Sequence, residues 1–183
     1  MNRIPNANCR ILYLAGAIFA GLCAAAEAGS QPPPGVAVAQ GPAFAAAKPL
    51  TCSPLSNGTV VSGFGFRKDP MRLYSRFHTG LDLQGYSGQA VLSADRGVIT
   101  AVRENRAHYY LVEVRHGADV KTVYSHLAGL APQIRLGVAV SSGEMLGKLA
   151  RSHRAELPFL HFEVVFKDRF VDPSIFLAER EAC

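Results

Sequence analysis

The chain has little of what several protein classes require. Its 183 residues hold no internal repeat and no coiled-coil heptads, which sets aside solenoids and long helical rods. Charge of one sign is not concentrated: 18% of residues are charged and the formal net charge is +5, too small an excess to argue for nucleic acid. A membrane span needs roughly 20 apolar residues, and the longest apolar run, from Ile11 to Ala26, has about 16 with many small side chains. Cysteine is scarce, with four in all, of which Cys9 and Cys23 lie near the N-terminus. Charge is almost missing between Gly29 and Pro49, where proline, alanine, glycine and glutamine predominate and no core can be built.

What is present begins with an export pattern. Arg3 and Arg10 precede the apolar run, and Ala26-Glu27-Ala28 offers a small-residue cleavage site, so residues 1–28 read as a secretory signal peptide, with an uncleaved anchor as the alternative. Leu22 before Cys23 argues against lipidation, which needs a small residue there. Residues 29–52 then read as an extended, mobile linker and 53–183 as the domain. Of the 19 basic and 14 acidic side chains, Arg3, Arg10 and Glu27 fall in 1–28, which leaves a net +4 and suits an anionic envelope. Arg67, Lys68, Arg72 and Arg76 form the densest cluster, read either as a guide for substrate carboxylates or as a solvated loop. Cys52 and Cys183 are the thiols left after cleavage, and an oxidising compartment favours their pairing over two free thiols.

From Gly58 onward, short β-branched runs broken by glycine predict an antiparallel all-β domain. The clearest strands are 59–64, 97–103, 110–115, 120–124, 145–150 and 160–166. Gly85, Gly88, Gly117, Gly137 and Gly143 mark turns, and a short C-terminal helix is expected from Pro173 to about Arg180.

Three side chains within this pattern are suited to a metal. His78 and Asp82 are four residues apart, a spacing that lets both point inward if the segment enters or follows a short strand. In Phe159-Leu160-His161-Phe162-Glu163, period-two alternation puts Phe159, His161 and Glu163 on one face. Two histidines and a carboxylate leave a fourth tetrahedral position for water, as catalytic zinc sites do and structural ones usually do not. Glu163 reads as an acceptor for a ligand histidine's other nitrogen, or equally as a surface residue. Alternation in Tyr124-Ser125-His126 places Tyr124 and His126 on one face. His108 and His116 read as structural, and His153, in the loop before Phe159, reads first as a solvent-exposed residue and otherwise as one that could swing toward the site.

These residues stand in Phe64-Gly65-Phe66-Arg67, His78 to Asp82, Tyr124-Ser125-His126-Leu127, Gly137 to Gly147, Phe159 to Glu163 and Asp172-Pro173, in that order. Over residues 57–177 the sequence resembles the M23 peptidases, the lysostaphin- or LytM-type peptidoglycan endopeptidases. The resemblance implies an antiparallel β-sheet groove or sandwich of the LytM, duplicated hybrid motif type, with Zn2+ held by His78, Asp82 and His161 and with His126 as a catalytic residue. It also implies peptidoglycan as partner, in the periplasm or envelope. One departure is specific: the family's His-x-His pair has Phe159 at its first position, and the loop Lys148 to Pro158 lacks the family's glycines. In the family that first histidine helps to orient and deprotonate the attacking water. Two functions follow from the resemblance: a zinc endopeptidase acting on peptide cross-links with weakened catalysis, and a non-catalytic envelope protein that binds peptidoglycan or regulates another cell-wall hydrolase.

Overall fold

A computed structural model of the protein describes residues 33–36, 50–68, 75–107, 109–151 and 157–177. Among these residues the strands are β1 (Thr59–Ser62), β2 (Gly65–Lys68), β3 (Ser75–His78), β4 (Leu81–Gln84), β5 (Ala90–Leu92), β6 (Gly97–Glu104), β7 (Tyr110–His116), β8 (Val120–Leu130), β9 (Ala139–Val140), β10 (Met145–Leu149), β11 (Phe159–Phe166) and β12 (Arg169–Val171), followed by one helical turn, α1 (Ser174–Leu177). Ten strands form one antiparallel sheet whose main path runs β1-β4-β11-β8-β7-β6-β9, with β10, β5 and β12 attached beside it, and β2 and β3 form a separate two-stranded ribbon. The fold is all-β, as the short β-branched runs broken by glycine predict.

Strand β11 shows how sequence sets register. Leu160, Phe162, Val164 and Phe166 are buried while Phe159, His161, Glu163 and Val165 are half-buried, a strict alternation. Fully burying one such apolar side chain contributes about 1.5–3 kcal/mol. A slip by one residue would expose four of them and bury two ionisable groups instead, so the pairing is held firmly. The inward face joins Leu81, Leu83, Val112, Val114, Tyr124, Leu127 and Leu149 in one core. Tyr124 brings a hydroxyl into it, which accepts hydrogen bonds from the Ala94 main-chain N–H at 2.8 Å and from Thr122 at 2.9 Å. Burial pushes its pKa up to about 12, against the opposing effect of these hydrogen bonds.

The structure departs from the sequence reading in several places. β8 continues past Tyr124 to Leu130, which carries His126 into the sheet. The expected C-terminal helix is described over Ser174–Leu177, and the rest of its expected span lies outside the described residues. Part of the stretch read as a mobile linker is engaged: Val36 bridges Phe170 in parallel, and the Phe170 N–H donates to the Gly35 carbonyl at 2.9 Å. Cys52 is buried and disulfide-bonded, with Sγ 3.1 Å from Ser142 Oγ; its expected partner Cys183 lies outside the described residues.

Candidate metal centre

Sheet register assembles the centre. Asp82 on β4 is the cross-strand neighbour of His161 on β11, and His161 is in turn the neighbour of Ser125 on β8. Side chains directly opposite on one face stand about 4.5–5.5 Å apart at Cβ, within reach of a shared ion. His78 ends β3 and reaches the same point through the two-residue link Thr79-Gly80. That link passes so close to β11 that a Cβ on Gly80 would lie 2.3 Å from the Phe162 carbonyl oxygen, so glycine is required there.

His78 Nε2, Asp82 Oδ1 and His161 Nδ1 form a triangle with sides of 3.0, 2.8 and 3.1 Å. A tetrahedral ion with bonds of about 2.0–2.2 Å has ligand–ligand edges of about 3.3–3.6 Å, so the triangle has the shape of one contracted face of that polyhedron. The outer nitrogens confirm which atoms face inward. His78 Nδ1 donates to the Gly63 carbonyl at 2.6 Å, and His161 Nε2 donates to Glu163 Oε1 at 3.2 Å, an oxygen that also accepts from the Thr79 hydroxyl. Two imidazole nitrogens 3.0 Å apart therefore face each other with room for one cation between their lone pairs, be it a proton or a metal. These residues fit zinc.

The electrostatics agree with that geometry. Burial alone would depress His161, but hydrogen bonds to Asp82 and Glu163 outweigh it and hold its pKa at about 9. Burial alone would raise Asp82, yet its hydrogen bonds to His161 and His78 hold it well below the carboxylate range. The second Asp82 oxygen meets Arg67 Nη1 at 3.3 Å.

His126 reaches this face by a route that differs from simple alternation. Tyr124 is fully buried against Phe162, with ring centroids 5.4 Å apart, so a regular strand would turn His126 into the core as well. Instead the β7–β8 register shifts between its Tyr110↔Leu127 and Val112↔Tyr124 pairs, and His126 adopts φ 70°, which turns its ring outward. A β-bulge of this kind re-aims a side chain at the cost of local strain. The His126 ring stands 6.3 Å from that of His161 and packs edge-on against Phe159 at 4.8 Å and 88°. Burial first, and then the neighbouring His161 charge, lower its pKa, while Asp82 and a hydrogen bond to the Phe159 main chain oppose that shift.

Other candidates fall elsewhere. His116 bonds the Arg96 carbonyl through Nδ1 at 2.9 Å and Thr122 through Nε2 at 2.7 Å, a structural arrangement. His108, His153 and Arg72 lie outside the described residues. Arg67, read from sequence as a guide for substrate or a solvated residue, is exposed and also paired with Asp82; its place in Phe64-Gly65-Phe66-Arg67 was the available signal. The Gly63 carbonyl and the Thr79 hydroxyl were missed, and only a three-dimensional view reveals their roles.

Taken together, the fold and the site define a β-sheet domain that presents a three-ligand metal-site geometry on one sheet face. The chain belongs to peptidase family M23, whose pattern matches residues 76–173. It is 31% identical over 120 residues to the "DD-carboxypeptidase/endopeptidase Mpg" of Neisseria meningitidis serogroup B, a match that covers 66% of this chain and 27% of that protein. It is 28% identical over 126 residues to the "Murein hydrolase activator NlpD" of Escherichia coli K12, covering 68% of this chain and 31% of that protein. The chain thus spans about a quarter to a third of the length of these relatives. A solved zinc-containing peptidase from Vibrio cholerae aligns with TM-score 0.58 at 28% identity, covering 69% of this chain and 39% of the other.

Proposed function

We propose that the protein is a zinc-dependent endopeptidase of the bacterial envelope that cleaves peptide cross-links of peptidoglycan. The observation that supports this most is the triangle of His78 Nε2, Asp82 Oδ1 and His161 Nδ1, each ligand held from outside by its own partner. His78, Asp82 and His161 would hold the zinc, which when bound would supply Lewis acidity toward the scissile carbonyl and a water. His126 stands to one side of that centre with its pKa lowered, so its neutral ring is ready to take or share a proton near pH 7. Phe159 offers an apolar wall where a second base would stand, and the absence of one general base costs about 10²–10⁴-fold in rate. In this reading the apolar run Ile11 to Ala26 acts as an export signal that delivers the domain to its polymer. The domain is expected to bind one zinc per chain, and His161→Ala to abolish it. Metal analysis after dialysis checks this, and equal zinc in both proteins contradicts the assignment of the ligands.

One observation favours a second reading, a non-catalytic protein that binds peptidoglycan or regulates another cell-wall hydrolase. Phe159 caps the His126 ring edge-on, and a relative is named as a murein hydrolase activator. The substitution Phe159→His separates the readings. If the centre is built for hydrolysis, restoring an imidazole beside His161 raises muropeptide release by roughly tenfold or more. A folded, zinc-loaded variant that releases none while wild type still binds peptidoglycan supports the second reading.

A further inference from the structure

Arg67 stands opposite Arg76 in the β2–β3 ribbon, and like charges directly across a ladder repel. Arg76 is exposed, whereas the Arg67 side chain is 41% exposed and turns toward the 11%-exposed Asp82 carboxylate. The two Asp82 oxygens have different work. Oδ1 lies between the histidines at 3.1 and 2.8 Å, and Oδ2 lies 3.3 Å from Arg67 Nη1. The same short stretch also supplies the Gly63 carbonyl that orients His78.

From this geometry, and resting on the zinc reading above, we propose that Arg67 is a positioning residue that holds Asp82 to one ligating oxygen and so keeps the fourth coordination position free for substrate and water. A carboxylate can bind an ion through one oxygen or through both. With Oδ2 engaged by a guanidinium, rotation that would bring both oxygens to the ion breaks a charge-assisted contact. With Arg67 removed, Oδ2 is free to turn inward and take the position that catalysis needs. A residue that orients a ligand in this way commonly changes metal affinity or activity by about 10–100-fold when replaced.

Cobalt(II) in place of zinc reports coordination number directly, because four-coordinate sites absorb visible light far more strongly than five-coordinate ones. The test compares the cobalt-loaded domain as wild type, Arg67→Met, Arg67→Lys and Arg76→Met, with thermal unfolding as the check on folding. Arg67→Met is expected to bind one cobalt per chain with visible absorption reduced by about half or more as coordination number rises. Arg67→Lys, which keeps a cation near Oδ2, recovers part of the intensity, and Arg76→Met, which removes an equal charge from the same ribbon, leaves the wild-type spectrum. An Arg67→Met spectrum identical to wild type at full occupancy overturns the inference while leaving the metal centre intact. Wild type that binds no cobalt overturns the metal centre itself, and the inference with it. If Arg67→Met proves unfolded, Arg67→Gln, which also removes the charge, decides: a wild-type spectrum at full occupancy contradicts the proposal, and lowered intensity supports it.

Discussion

Each candidate ligand owes its state to one or two neighbours. His161 faces Asp82, Glu163, His78 and His126, and the two carboxylates keep its pKa at about 9 against an ordinary 6.5. A histidine raised on folding stabilises the protein fully below its unfolded pKa and loses that contribution as pH rises through the folded one. The metal-free domain should therefore show a falling thermal midpoint between pH 6.5 and about 9, a slope that zinc removes by replacing the proton between the two rings. Calorimetry of chelator-treated and zinc-loaded protein across that window checks the sign. A metal-free midpoint that rises there contradicts the account of the centre.

At the scale of elements, the bulge in β8 matters most. Regular alternation serves β11 well, because a strand buried on one face must alternate, and Phe159, His161 and Glu163 fall together as their spacing predicts. It fails at His126, since period-two reasoning assumes an unbroken ladder and the register shift reverses the face beyond Tyr124. Strands β2 to β5 were also illegible as strands: each has three or four residues, and β2 and β3 include charged side chains, too short and too polar for a periodic signal. The candidate ligands on them, His78 and Asp82, were legible through motif order rather than through secondary structure. Because His126 holds a left-handed backbone, a residue that tolerates that conformation should replace it without structural cost. His126→Asn is expected to unfold within about 0.5 kcal/mol of wild type while hydrolysis falls about 10²–10⁴-fold. A denaturant titration beside a hydrolysis assay measures both, and a variant that keeps full activity removes His126 from the chemistry.

Over the whole molecule, the centre joins parts distant in sequence. Gly63 and Arg67 come from the loop and ribbon before the ligands, His78 and Asp82 from β3 and β4, His126 from β8 and His161 from β11. Such a site exists only when the sheet and ribbon have both formed, so metal that binds the native state alone adds stability, about 2.7 kcal/mol at a hundredfold excess over its dissociation constant. Short β-branched runs broken by glycine made the all-β class readable before any coordinates, and motif order did the same for the three inward-facing side chains. The outer partners were not readable, because a carbonyl at Gly63 or a hydroxyl at Thr79 has no sequence signature. The most direct test of the account is digestion of purified peptidoglycan by the domain stripped of metal, by the same protein after zinc is restored, and by Asp82→Ala with zinc. The account predicts soluble muropeptides from the restored wild type alone, at a slow rate set by Phe159; no release from any of the three, or equal release from the stripped protein, contradicts it.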